Sequence, residues 1–240
     1  MNLTDQGQAV RVAAFEPRSL VNGPGARAVL WVQGCGRRCP GCFNPDFLPR
    51  IGGRDVPVGE VVGWIALATE SVDGRLEGVT FSGGEPFDQA SALAAVARAV
   101  RGLGLGVMIF SGNPQAALLS KGEAGWKELI EASDLIVAGP YERGSPGDHP
   151  LLSSGNQELM HVTERYRSWA ETARQRARKV EIKIGTDGVV RMTGFPGEKM
   201  RAGVHRDSHF GLQSGADLQA CQLPGPPALL GVGHSANPEP

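Results

Sequence analysis

Residues 28–45 read AVLWVQGCGRRCPGCFNP, an apolar run rich in β-branched residues that breaks at Gly34 into a loop holding Cys35, Cys39 and Cys42. The run has the composition of a buried strand. A strand that ends in a reactive loop is the usual arrangement of an α/β fold, where chemistry gathers at the C-terminal ends of parallel strands. Working outward, AVRVAAF (Ala9 to Phe15) is a further strand upstream. Downstream, Val58, Val61, Val62 and Ile65 recur at helical spacing and predict a helix over residues 58–71. GVTFSGG (Gly78 to Gly84) is again a short strand ending in glycines. Leu93, Val96, Ala97 and Val100 mark a second helix, stopped by Gly102 and Gly104.

Strands VMIFSG (Val107 to Gly112) and DLIVAG (Asp134 to Gly139) follow, separated by a broken helix over residues 114–131. This β-α-β-α order predicts parallel strands joined by helical crossovers. A complete eightfold barrel takes about 250 residues, and only about five or six units are present, so the expected fold is an open, partial (β/α) barrel. Past residue 140, YERGSPGDHPLLSSGNQ is too long for a simple connector and reads as a lid or a substrate-facing segment. An Arg-rich helix over residues 163–178 and a hairpin around Asp187-Gly188 complete the pattern. The expected organisation is one domain over residues 1–200 and a Gly/Pro-rich tail over residues 201–240, with too little to bury for folding.

With 24 Lys+Arg against 25 Asp+Glu, the net charge of -1 gives no basic field for long nucleic-acid contacts. The opening MNLTDQGQAV lacks the pattern of a signal peptide, and no apolar run reaches membrane-spanning length. A cytoplasmic protein without a nucleic-acid or membrane partner is expected. In that reducing compartment clustered cysteines act as ligands or catalytic groups rather than as disulfides.

The chain has four cysteines, three of them in the eight residues from Cys35 to Cys42. A structural zinc site needs a fourth Cys or His nearby, and an electron-transfer ferredoxin cluster needs four thiolates. The histidines, at 149, 161, 205, 209 and 234, and the remaining Cys221 are far along the chain. Three thiolates on a 4Fe-4S cluster leave one iron open for a ligand. Gly34, Gly36, Pro40 and Gly41 allow the tight wrap that brings three sulfurs to one cluster. Zinc remains the competing occupant.

About forty residues later comes TFSGGEPF. Gly83 and Gly84 let carbonyl groups approach a ligand closely, and Glu85 is an anionic partner for an ammonium group. Alone, the segment is also an ordinary strand-to-helix turn with Glu85 in its first turn. Together, Cys-x3-Cys-x2-Cys and SGGEP resemble the signature of the radical S-adenosylmethionine superfamily. NGPGAR (Asn22 to Arg27), GPY (Gly139 to Tyr141), SSGNQEL from Ser153 and TGFP from Thr193 narrow the resemblance. They are similar to the small activating enzymes of glycyl-radical proteins, above all the branch serving anaerobic ribonucleoside-triphosphate reductase.

The resemblance implies a 4Fe-4S cluster on Cys35, Cys39 and Cys42 and S-adenosylmethionine held by Gly41, Cys42, Phe43, Ser82, Gly83, Gly84, Glu85 and Pro86. Phe43 is the candidate for packing the adenine. The implied reaction is one-electron cleavage of S-adenosylmethionine to a 5'-deoxyadenosyl radical, which removes a Cα hydrogen from a glycine of a partner protein. A flavodoxin- or ferredoxin-type donor supplies the electron, and Arg37 and Arg38 tune the cluster, dock that donor, or are simply solvated. Two sequence departures bear on the partner: Ala138 stands where relatives often carry an acidic residue, and FSGNP lacks an aromatic residue after its glycine. The same core also fits a small-molecule enzyme of the carboxy-deazaguanine synthase kind or a peptide-modifying enzyme. A non-catalytic iron-sulfur or zinc module is the alternative from another class. Asn156 and Gln157 either line a substrate path or cap the strand that follows.

Overall fold

The computed structural model describes residues 7–70, 74–120, 123–184 and 190–196. The tail from Arg201, Cys221 and the Asp187-Gly188 turn lie outside them. The strands are β1 (Ala9–Ser19), β2 (Arg27–Val32), β3 (Arg54–Pro57), β4 (Gly78–Gly83), β5 (Gly106–Ser111), β6 (Leu135–Ala138) and β7 (Glu158–His161). They form one open sheet in the order β3-β1-β2-β4-β5-β6-β7. Helices α1 (Val58–Thr69) and α2 (Ala90–Gly102) are followed by the short helices α3 (Gln115–Ser120), α4 (Trp126–Glu131) and α5 (Arg167–Ala173). Strands β8 (Val180–Ile184) and β9 (Val190–Gly194) form the expected C-terminal hairpin.

The α/β class holds, and β2, β4, β5 and β6 are parallel as expected. The sheet as a whole is mixed. β1 runs antiparallel to both β2 and β3, and β7 runs antiparallel to β6. Connection length explains the difference at β1, because residues 20–26 are too few for the crossover that a parallel neighbour requires. β3 and β7 have four residues each, and RDVP and ELMH carry neither the length nor the alternation that marks a strand. Helix α5 covers seven residues of the expected sixteen. Beyond it, RQRARK offers no large apolar residue to seat. Arg174 instead pairs with Asp148 at 2.6 Å, and Arg178 donates to the carbonyls of Gly147 and Leu152.

Strand alternation divides the core into two layers. On the outer face, Val79, Phe81, Val107, Ile109 and Ile136 pack beneath Val61, Trp64, Leu93 and Leu129 of the helices. On the inner face, Met108, Leu135 and Val137 meet Leu151, Leu152 and Tyr166. Among the described residues no helix is long and apolar enough to cross a membrane.

NGPGAR folds under the inner face. Thr80 Oγ1 donates to Asn22 O at 2.9 Å and accepts from Arg27 Nε at 2.8 Å. Arg27 is fully buried. Its remaining N–H groups reach the carbonyls of Pro24, Val79 and Gly106 and the hydroxyl of Tyr166. Burial works against the guanidinium charge, while the facing Tyr166 and the more distant Glu77 and Asp134 favour it. A Cβ on Gly78 would lie 2.2 Å from Gly106 O and 2.7 Å from an Arg27 Nη atom, so the glycine makes room for that side chain. The lower inner face is thus filled by the chain itself. Its upper row, Trp31, Ser82 and Phe110, lies at the end of the strands where the cysteine loop begins, with Trp31 and Ser82 in register.

Candidate functional site

The cysteine loop is closed at its base by backbone pairs. Gly34 N donates to Phe47 O at 2.8 Å and Cys35 N to Leu48 O at 3.0 Å. Gln33 Nε2 secures the return by donating to the carbonyls of Asp46 and Pro49. Cys35 is buried, Cys39 and Cys42 are half-buried, and none of the three is in a disulfide. Burial pushes the Cys35 thiol up, and the backbone N–H groups of Arg37 and Arg38 pull it the other way. Asn44 N donates to Cys42 Sγ at 3.4 Å. Amide N–H groups directed at cysteine sulfurs stabilise the negative charge of iron-sulfur ligands, so the donor set fits a cluster. Among the described residues no three His, Cys, Asp or Glu side chains are gathered as one metal ion requires.

The SGGEP segment leaves β4 beside this loop and is stitched to it. Gly84 N donates to Val32 O at 2.7 Å, Glu85 N to Gly34 O at 2.9 Å, and Asn44 Nδ2 to Gly83 O at 3.4 Å. The glycine pair is required by this approach. Gly83 has φ +103°, and a Cβ on Gly84 would fall 2.1 Å from Gly34 O. Ser82 is half-buried in the upper row of the inner face, in register with Trp31. Pro86 opens a buried 3-10 turn, and the next residue, Phe87, packs edge-on against Trp126 with centroids 5.2 Å apart. Gln89 Nε2 donates to Arg11 O and Gln33 O, which ties the turn back to β1 and β2.

Glu85, expected to meet an ammonium group, is buried with both carboxylate oxygens engaged inside the protein. Oε1 accepts from Phe87 N at 3.0 Å and Ser111 Oγ at 2.9 Å, and Oε2 accepts from Gly112 N at 2.8 Å. Arg37 Nε lies 3.9 Å from Oε2, and its Nη2 donates to Asn113 Oδ1. Burial raises the Glu85 carboxyl, and these donors and the Arg37 charge oppose that rise. The carboxylate therefore braces the ends of β4 and β5 and anchors Arg37, while Arg38 is exposed with φ 49°. Ser111, Asn113, Gln33 and Gln89 were missed by the sequence reading. The signal for the first two was available: SGN after β5 repeats the polar-Gly pattern of SGG after β4.

Aromatic rings close the other side. Phe43 packs edge-on against Tyr141, with centroids 5.1 Å apart, and against Phe195 at 6.2 Å. Gly41 is exposed at the loop tip, with Arg143 Cδ 3.3 Å from where its Cβ would stand. The long segment carrying Tyr141 is braced along its length. Gln157 Oε1 accepts from Ser153 N and Ser153 Oγ while its Nε2 donates to Gly139 O. Asn156 Nδ2 donates to Pro140 O at 2.8 Å. Both residues hold the turn after β6. His149 pins the segment to α5: Leu151 N donates to Nδ1, which leaves Nε2 to donate to Ala170 O at 3.0 Å. His161, the other described histidine, lies on β7.

Two outcomes follow from this geometry. Gly84→Ala must displace the cysteine loop: iron bound after anaerobic reconstitution falls by about half or more, and urea unfolding shows a loss of about 2 kcal/mol or more. His149 has its value lowered from 6.5, first by burial, with Arg174 and His161 adding to the effect and Ala170 O and Asp148 opposing it. Its stabilisation is complete above about pH 6.5 and is lost as pH falls through the lowered folded value. Thermal melting from pH 7.5 to 5 then declines more steeply in the wild type than in His149→Gln; parallel curves contradict this.

The comparisons with known proteins fit this arrangement. The chain is 31% identical over 127 residues to the pyruvate formate-lyase-activating enzyme of Clostridium pasteurianum, covering 53% of this chain and 50% of that protein. It is 28% identical over 153 residues to the anaerobic ribonucleoside-triphosphate reductase-activating protein of Enterobacteria phage T4, covering 62% of this chain and 92% of that protein. The chain spans about half the length of the pyruvate formate-lyase-activating enzymes it matches. Among solved structures, QueE from Escherichia coli aligns over 46% of this chain and 56% of its own, at a TM-score of 0.39 and 13% identity. The model of the 4Fe-4S single cluster domain matches residues 21–160, and the chain belongs to that family.

Proposed function

We propose that this chain is a radical S-adenosylmethionine enzyme that installs a glycyl radical on a partner protein, such as an anaerobic ribonucleotide reductase. The observation that carries the reading is the backbone stitch between the three-thiol loop and the glycine turn of SGGEP. It joins the two segments at the ends of β2 and β4, which supports a cluster site and a cofactor site side by side. Cys35, Cys39 and Cys42 would hold a 4Fe-4S cluster. When bound and reduced, the cluster would supply the one electron that cleaves S-adenosylmethionine to methionine and a 5'-deoxyadenosyl radical, and that radical would take a Cα hydrogen from a glycine of the partner.

The remaining work falls to the chain's own residues. The amino group of S-adenosylmethionine meets carbonyl oxygens of the glycine turn at Gly83 and Gly84, with Glu85 bracing that turn from behind. Phe43 would pack the adenine, and Ser82, Gly41, Cys42 and Pro86 would complete the site. The lower inner face is filled by NGPGAR, Leu151, Leu152 and Tyr166, so the substrate reacts at the rim. A loop of a protein partner suits that position.

The match to 92% of the length of the phage T4 protein, which is named for activating anaerobic ribonucleoside-triphosphate reductase, supports the ribonucleotide reductase reading. Arg38 and Arg50 are exposed beside the cysteine loop, and they suit an acidic flavodoxin- or ferredoxin-type donor. Three clustered cysteines outside any disulfide suit a reducing cytoplasm.

The test is anaerobic reconstitution with reductant, S-adenosylmethionine and a purified anaerobic ribonucleotide reductase. Formation of 5'-deoxyadenosine together with a glycyl signal in electron paramagnetic resonance is expected, and Cys→Ser at position 35, 39 or 42 abolishes both. Cleavage coupled to a small molecule, with no protein radical, would overturn the activase assignment.

A further inference from the structure

The C-terminal hairpin lies outside the matched family segment, yet it reaches the site. Phe195 follows β9 and stands between two rings. Its centroid is 5.8 Å from that of Phe110 on β5 and 6.2 Å from that of Phe43 in the cysteine loop, at interplanar angles of 56° and 65°. Phe110 belongs to the upper row of the inner face, in register with Val137 of β6. A continuous line of rings therefore runs from the sheet, through Phe195, to the loop that carries the three cysteines, where Phe43 directly follows Cys42.

The hairpin is fixed to the body by polar contacts. Asn22 Nδ2 donates to Thr193 Oγ1 at 2.9 Å, Ser19 Oγ to Glu181 Oε2 at 2.7 Å, and Lys183 Nζ to Glu16 Oε1 at 2.7 Å. Phe195 N donates to Lys179 O at 3.2 Å. These anchors surround a single aromatic side chain that leaves the hairpin toward the site. Phe43 sits on a loop whose own regular structure is one 3-10 turn, Pro45–Phe47. Tyr141 already meets the Phe43 ring at 5.1 Å, and a second ring from Phe195 narrows further the rotamer freedom that the side chain must surrender when a ligand binds, which lowers that cost.

We propose that Phe195 is a positioning residue for the nucleoside end of the cofactor, acting through Phe43. The inference rests on the reading of Phe43 as the adenine platform. The hairpin is then part of the cofactor site, and its polar anchors are the supporting shell that holds one ring in place.

The test uses full-length holoprotein with an oxidised cluster and S-adenosylhomocysteine, which carries the same adenosine and no sulfonium to cleave. Binding is followed by anaerobic titration calorimetry, with iron content and the unfolding midpoint measured on each variant. Phe195→Ala is expected to weaken binding about tenfold, equivalent to about 1.4 kcal/mol, with iron content unchanged. Phe195→Tyr restores affinity to within about twofold, since its ring keeps the edge contact. Phe43→Ala weakens binding by a similar factor, and the double variant is no weaker than Phe43→Ala alone, as a shared pathway requires. Unchanged affinity in Phe195→Ala, or additive losses in the double variant, would overturn the inference while leaving the cofactor reading intact. Loss of iron or of cooperative unfolding in Phe195→Tyr would also overturn it, by showing a packing role. If the wild type fails to bind, the proposed function fails first and this inference with it.

Discussion

Two backbone hydrogen bonds, from Gly84 N to Val32 O and from Glu85 N to Gly34 O, join the end of β4 to the point where β2 becomes the cysteine loop. The bonds continue the parallel ladder past the last paired residues, Val32 and Gly83. A ladder extended in this way needs two backbones closer than side chains permit, hence the glycine pair. Everything nearer the ligand is positioned from that seam. The cysteines hang from one side of it, and the carboxylate of Glu85 reaches from the other to the end of β5.

The buried carboxylate explains why the seam is stiff. A charge removed from water must find donors, and Glu85 finds them on Phe87, Ser111 and Gly112. Phe87 lies in the turn after β4, and Ser111 and Gly112 lie at the end of β5, so satisfying the charge fixes the relative placement of the two strand ends. Arg37 extends the same logic to the cysteine loop by pairing with both Glu85 and Asn113. An acidic residue in a glycine turn suggests a ligand contact at first sight. Here it braces the ends of β4 and β5.

Much of this was legible in the sequence. The four central strands, α1 and α2, and the C-terminal hairpin follow from periodicity and punctuation, because each carries a continuous apolar pattern over enough residues to register. The three-thiol loop was legible because its spacing leaves few alternatives. The directions of β1 and β7 were not, since an apolar run has no arrow and only the length of the following connection distinguishes a turn from a crossover. The roles of Gln33, Gln89 and Asn113 were hidden for a related reason. Each acts on backbone groups distant in sequence, such as Gln89 on Arg11 O, and nothing in the local pattern marks a brace of that kind. Arg27 was quoted as part of a motif, but its burial depends on Gly78 and Tyr166, which only the fold brings together.

The central claim is that three thiolates at this seam hold a 4Fe-4S cluster with one iron open to S-adenosylmethionine. Mössbauer spectroscopy of the anaerobically reconstituted protein, with and without S-adenosylmethionine, addresses it directly. The expected spectrum is that of a cubane in which one iron alone changes when the cofactor is added. Irons that all stay unchanged, or a protein that retains zinc in place of iron, would contradict it.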